Sequence, residues 1–104
     1  MRSEVLKGHV DLLLLATLRR EPLHGYGVVE RLRDESEGAF ELAEGTVYPA
    51  LYRLERAGLL ASRWTRAAGR RRRVYRLTRR GREELARERK EWKSFATAVE
   101  AVVT

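Results

Sequence analysis

The chain has 104 residues, 43% hydrophobic and 36% charged, which is one folded domain's worth and not the composition of a disordered chain. It has no cysteine, and its longest apolar run, residues 12–16, is far too short to cross a bilayer, so disulfides, thiol chemistry and a membrane span are excluded. The net charge of +7 is concentrated in one place: residues 57–82 hold ten arginines and no acid, and the rest of the chain, with 12 bases and 15 acids, stands at −3.

Residues 1–4 lack the apolar stretch of a leader, so a cytoplasmic address is expected. Residues 9–20 carry apolar side chains most of the way round a helix, which predicts burial on more than one side and a second subunit against one of them. Pro22 is expected to end that helix. Residues 24–35 read as a second helix with Tyr26, Val28, Val29 and Leu32 on its apolar face. Gly25 and Gly27 leave its start bare, either for a close approach by a partner or for tight packing on the first helix.

Residues 36–44 form a connector able to hold a brief strand around Phe40 and Leu42. Val47, Leu51 and Leu54 then recur at helical spacing, and Gly58 suits the position just past a helix C-terminus. Thr46 as N-cap would put Pro49 in the first turn; a start one turn earlier, with Pro49 inside, is the other possibility. Residues 59–65 read as a strand, Ala67-Ala68-Gly69-Arg70 as a turn, and residues 73–77 as a half-buried strand. Thr78 is the N-cap candidate for a last helix. Leu85, Trp92, Ala96, Val99 and Val103 form its apolar stripe, with Phe95 and Val102 beside it. That stripe runs past the end of so small a core, which predicts a partner helix from a second copy.

Three helices, a basic hairpin and a long helix describe a mainly α winged helix-turn-helix, residues 1–78, followed by a dimerisation helix, residues 79–104. In such a fold the third helix enters the major groove of duplex DNA and the hairpin arginines reach phosphates or the minor groove. Guanidinium binds phosphate oxygens bidentately and displaces counterions, which favours nucleic acid over a protein partner for so dense an arginine segment. An enzyme is not indicated. The two histidines, His9 and His24, have no ligand at metal-binding spacing, no Gly-rich phosphate loop follows a strand, and no cofactor is expected. A winged helix used as a protein adaptor, or a non-specific nucleic-acid binder, is the competing class.

Five segments, in order and at matching spacing, closely resemble the PadR family of transcriptional regulators. They are His24-Gly25-Tyr26-Gly27, residues 45–55 (Gly45-Thr46-Val47-Tyr48-Pro49-Ala50-Leu51-Tyr52-Arg53-Leu54-Glu55), Ala57-Gly58-Leu59-Leu60, Gly69-Arg70-Arg71-Arg72, and Tyr75-Arg76-Leu77-Thr78 with Gly81. The single last helix resembles the smaller subfamily. The resemblance implies a homodimer whose last helix packs on the partner, and repression of detoxification, efflux or stress genes from an inverted-repeat operator. It implies that Tyr26 lies near the DNA backbone, the alternative being a core tyrosine. Thr46 and Tyr48 would meet bases or phosphates, Tyr52 and Arg53 would face outward as weaker candidates, and Arg70, Arg71 and Arg72 would form the wing. The interface would be built from Leu12, Leu15, Leu85, Trp92, Ala96 and Val99. In some relatives a tryptophan matching Trp92 stacks on flat aromatic ligands, so Trp92 is either an interface-packing residue, the preferred reading, or the seat of a planar hydrophobic effector. Few acids are expected near it, which gives no ground for a cationic effector. Trp64, at the end of a wing strand, is read as structural.

Overall fold

The computed structural model describes residues 3–104; residues 1 and 2, on which the expected lack of a leader partly rests, lie outside them. The chain order is α1 (Ser3–Leu6), α2 (Val10–Thr17), β1 (Leu23–His24), α3 (Gly25–Glu35), α4 (Glu44–Arg56), β2 (Leu60–Ala67), β3 (Arg70–Leu77) and α5 (Arg79–Val103). The strands form one antiparallel sheet in the order β1-β3-β2. No described helix is long and apolar enough to cross a membrane.

The helical elements agree with the apolar spacing, and their ends differ from expectation for local reasons. α2 stops at Thr17, well before Pro22, because the Leu18 N–H turns back to the Leu15 carbonyl (3.2 Å) and tightens the last turn. α3 begins at Gly25, so its buried stripe is Gly25, Val28 and Leu32; Tyr26 is rotated off that stripe and is 47% exposed, not on the apolar face. No strand forms between residues 36 and 44, where the Ser36 hydroxyl accepts the Phe40 N–H (2.9 Å) and closes a turn. α4 starts a turn before Thr46: the extended Ala43 accepts the N–H groups of Thr46 (2.9 Å) and Val47 (3.0 Å). Thr46 is therefore not the N-cap, and Pro49 lies inside the helix. Its missing N–H removes the usual i+4 donor to the Gly45 carbonyl at a site that both residues leave open to water.

Gly58 ends α4 in the left-handed conformation (φ +82), with Leu59 N–H on the Leu54 carbonyl (3.0 Å) and Gly58 N–H on the Glu55 carbonyl (2.9 Å), a Schellman motif. Thr78 caps α5 as expected, its hydroxyl accepting the Gly81 N–H (3.0 Å) and donating to the Gly58 carbonyl (2.7 Å). Thr78 thus ties the end of α4 to the start of α5. Leu14, Leu15, Val28, Val47, Leu51, Leu54 and Leu60 are essentially inaccessible and form one core, completed by Leu77, Tyr75 and Leu85. Truncating one of these leucines to alanine costs about 2–5 kcal/mol. α5 continues for about 37 Å in all, well beyond Leu85.

Candidate nucleic-acid interface

The hairpin is longer than its sequence pattern indicated. β2 and β3 pair from Leu60↔Leu77 out to Ala67↔Arg70, leaving only Ala68 and Gly69 as the loop. Both have positive φ (+52 and +76), the geometry of a two-residue turn matched to strand twist. Arg70, Arg71 and Arg72 therefore lie on strand β3, not in the loop. Strand alternation sends Arg71 and Arg73 to the face shared with Trp64, and Arg70 and Arg72 to the other. The two-residue strand β1 holds the hairpin to the start of α3, pairing Leu23 with Tyr75 and His24 with Val74.

That attachment creates a cleft of about 590 Å³ lined by His24, Gly25, Tyr26, Glu44, Tyr48, Trp64, Arg70, Arg71, Arg72, Arg73 and Tyr75. Gly25 makes it possible. The Tyr48 ring lies so close to the bare Gly25 backbone that a Cβ there would sit 2.6 Å from Tyr48 Cζ and 2.9 Å from its hydroxyl. The Arg72 guanidinium approaches His24 Nε2 (3.3 Å). Tyr48 is 41% exposed, so its packing on α3 leaves part of the ring facing the cleft. Tyr26, Tyr48 and the three wing arginines thus come together from three elements.

Thr46 and Arg53 do not join them. They lie on the opposite side of α4, beside a groove lined by Leu6, Lys7, Val10, Leu42, Pro49 and Ala50. Arg53 is also engaged, donating to both Asp11 carboxylate oxygens (2.7 and 3.0 Å), which raises its pKa first through that hydrogen bond. Asp11, which no motif singled out, thereby links α2 to α4. Tyr52 is exposed beside Arg56. Arg73 is partly neutralised: its Nε donates to Ser62 Oγ (2.8 Å), and its Nη2 lies 3.4 Å from Glu55. Trp64, read from the sequence as structural, lies at the surface. It is 55% exposed and lines the cleft.

Of the residues expected at a subunit interface, Leu15 (0% exposed) and Leu85 (6%) belong to the chain's own core and have little surface left to offer a partner. Leu12 and Ala96 are half-buried, while Trp92 and Val99 are exposed, as are Phe95, Val102 and Val103. Trp92 packs edge-on against His9 (5.4 Å between ring centroids) and lies 6.1 Å from Phe95. These three rings border a mostly apolar pocket of about 720 Å³ with Val5, Leu12, Leu13 and Ala16, and Arg19 and Arg89 also line it. A smaller cleft beside it is lined by Glu88 and Glu91, so acids do lie near Trp92, contrary to the sequence expectation. They sit four and one residues before it on the helix. Burial pushes the Glu88 carboxyl up to about 7, helped by its hydrogen bond with Glu84 and the charges of Glu84 and Asp11. Glu84 is held below the usual carboxylate range, first by its hydrogen bond with Arg87. Among the described residues no cluster of histidines or acids could hold a metal ion.

The comparisons with known proteins agree with this architecture. Residues 14–87 match the model of the transcriptional regulator PadR-like family. The transcriptional regulator Rv3488 of Mycobacterium tuberculosis is 35% identical over 96 residues, covering 92% of this chain and 87% of the relative. A transcriptional regulator from Clostridium thermocellum superposes with a TM-score of 0.89 at 27% identity, over 97% of this chain and 99% of that one. Bacillus subtilis PadR, solved in complex with operator DNA, superposes with a TM-score of 0.68 at 25% identity, over 75% of this chain and 45% of that one. With its winged helix, its cleft and these relatives, the chain belongs to the PadR-like family of transcriptional regulators.

Proposed function

We propose that this regulator binds duplex DNA as a homodimer, recognises an inverted-repeat operator and represses transcription from it. The observation that carries the reading is the cleft. The exposed side of α4 bearing Tyr48, the N-terminus of α3 with Tyr26, and the arginines of β3 open onto one surface, with Glu44 as the only acid among its lining residues. A helix flanked by cations in this way suits a major groove with phosphates on its rim. The operator complex of Bacillus subtilis PadR supports the same partner for this chain. Tyr26, Tyr48, Arg70, Arg71 and Arg72 are the primary contacts in this reading. Thr46 and Arg53, on the far side of α4, are not primary contacts, and Arg53 is free for DNA only when it leaves Asp11.

The homodimer is supported by the outer half of α5, where Trp92 and Phe95 stay partly exposed beside α2 and Val99, Val102 and Val103 stay exposed beyond it. A second copy covering that stripe is the economical way to bury it. The mostly apolar pocket beside Trp92 is the seat we propose for a planar hydrophobic effector that releases the DNA.

The deciding experiment selects genomic fragments with the purified protein and reads their sequences. An enriched palindrome with half-sites about one helical turn apart is expected. Uniform recovery of all fragments, with the same steep salt dependence on each, would leave a non-specific binder in its place.

A further inference from the structure

Trp64 is a large apolar side chain left 55% exposed on the hairpin. The register puts it opposite Arg73 and two pairs away from Arg71, on the same face. The guanidinium carbon of Arg71 lies over the indole, 4.6 Å from its centroid, and that of Arg73 lies at 5.5 Å. The two arginines differ in what else they touch. Arg73 is drawn back to Ser62 and Glu55, whereas Arg71 has no acidic partner among the described residues. Both, with Trp64, line the cleft between the hairpin and α4.

We propose that Trp64 is a positioning residue for DNA binding: it holds the Arg71 guanidinium by its face and leaves the edge donors free for the phosphate backbone. The inference rests on the DNA-binding reading above. Its physical basis is that a planar guanidinium can stack and hydrogen-bond at once, because its π surface and its N–H fork are different parts of the group. A free arginine surrenders rotamer freedom when it grips a phosphate. One already stacked has surrendered part of it, and that part no longer weakens binding. Arg73, held by Ser62 and Glu55, also lies over the indole.

The test compares native protein, Trp64→Ala, Trp64→Phe, Arg71→Ala and the Trp64→Ala/Arg71→Ala double variant on a mixed-sequence duplex several helical turns long, across a salt series. Trp64→Ala is expected to weaken binding by about tenfold for a dimer with two wings, at an unchanged salt slope, because no phosphate contact is deleted. Arg71→Ala weakens binding and flattens the slope, and adding Trp64→Ala to it costs little more. Trp64→Phe keeps a ring and recovers most of the affinity. Duplex quenches tryptophan emission in the native protein and not in Trp64→Phe, a readout that stands even if the alanine variant fails to fold. Native-like affinity in Trp64→Ala, additive losses in the double variant, or emission indifferent to DNA would overturn the inference while the native protein still bound duplex. A folded native protein that binds no duplex at all would overturn both.

Discussion

Replacing Gly25 with alanine should separate DNA binding from stability. The added Cβ falls 2.6 Å from Tyr48 Cζ, against a flexible side chain and not backbone, so the ring can swing away from α3. Two effects on stability oppose each other. Alanine in place of glycine in a helix gains up to about 1 kcal/mol, less at this first position. Losing the contact of a ring already 41% exposed costs a similar amount. The melting temperature should therefore stay within about 4–8 °C of native, the shift that 1 kcal/mol produces in a domain of this size. Binding has no such compensation. A tyrosine hydroxyl on a phosphate contributes about 1.5 kcal/mol, so two displaced copies in a dimer lose about 3 kcal/mol, or about a hundredfold in affinity. Thermal melts and fluorescence-anisotropy titrations on the selected operator measure the two quantities. A variant that binds as tightly as native would refute the placing of Tyr48 in the interface. One that melts far below the native protein would show that the ring cannot yield.

Other substitutions probe the rest of the fold. At Gly81 a Cβ would lie 3.0 Å from the Leu59 carbonyl carbon and nearer its oxygen, which also accepts the Thr78 N–H; Gly81→Ala should cost about 1–3 kcal/mol or more by denaturant unfolding, and a neutral effect would contradict the backbone packing. Ala68 pays for a positive φ in the hairpin loop, so Ala68→Asn should raise stability by about 1 kcal/mol, read as a higher denaturant midpoint. Glu88, raised from 4.5 to about 7 in the folded state, contributes stability present below pH 4.5 and lost as pH rises through 7; Glu88→Gln should abolish that decline, of the order of 1 kcal/mol after solvent screening, and parallel melting curves from pH 4.5 to 8 would reject it. Arg70, Arg71 and Arg72 changed together to alanine should weaken binding to every duplex and flatten its salt dependence, whereas an unchanged slope removes the wing from the interface. Charged residues at Trp92 and Val99 should yield monomers by sedimentation, and a persistent dimer would place the contact elsewhere.

Periodicity and punctuation along the chain were enough to define α3, α4, α5 and the hairpin, because each buries a stripe that local spacing displays. Gly58 and Thr78 marked their helix boundaries because a left-handed backbone and a free helix N-terminus each select particular residue types. The arginine density of residues 57–82 already pointed to a phosphate-bearing partner, since charge is a property of composition. Tertiary structure alone decided what each side chain faces. β1 has two residues, too few for any period, and exists only because Tyr75 and Val74 pair with it. Arg53 faces outward as its spacing suggested, yet Asp11, 42 residues earlier, occupies its guanidinium. Leu15 and Leu85 sit among apolar residues typical of either a core or an interface, and only the packing of α2 and α5 assigns them to the core. Trp64 joins the cleft because hairpin register sets it beside Arg71, a pairing between strands that neither strand encodes by itself.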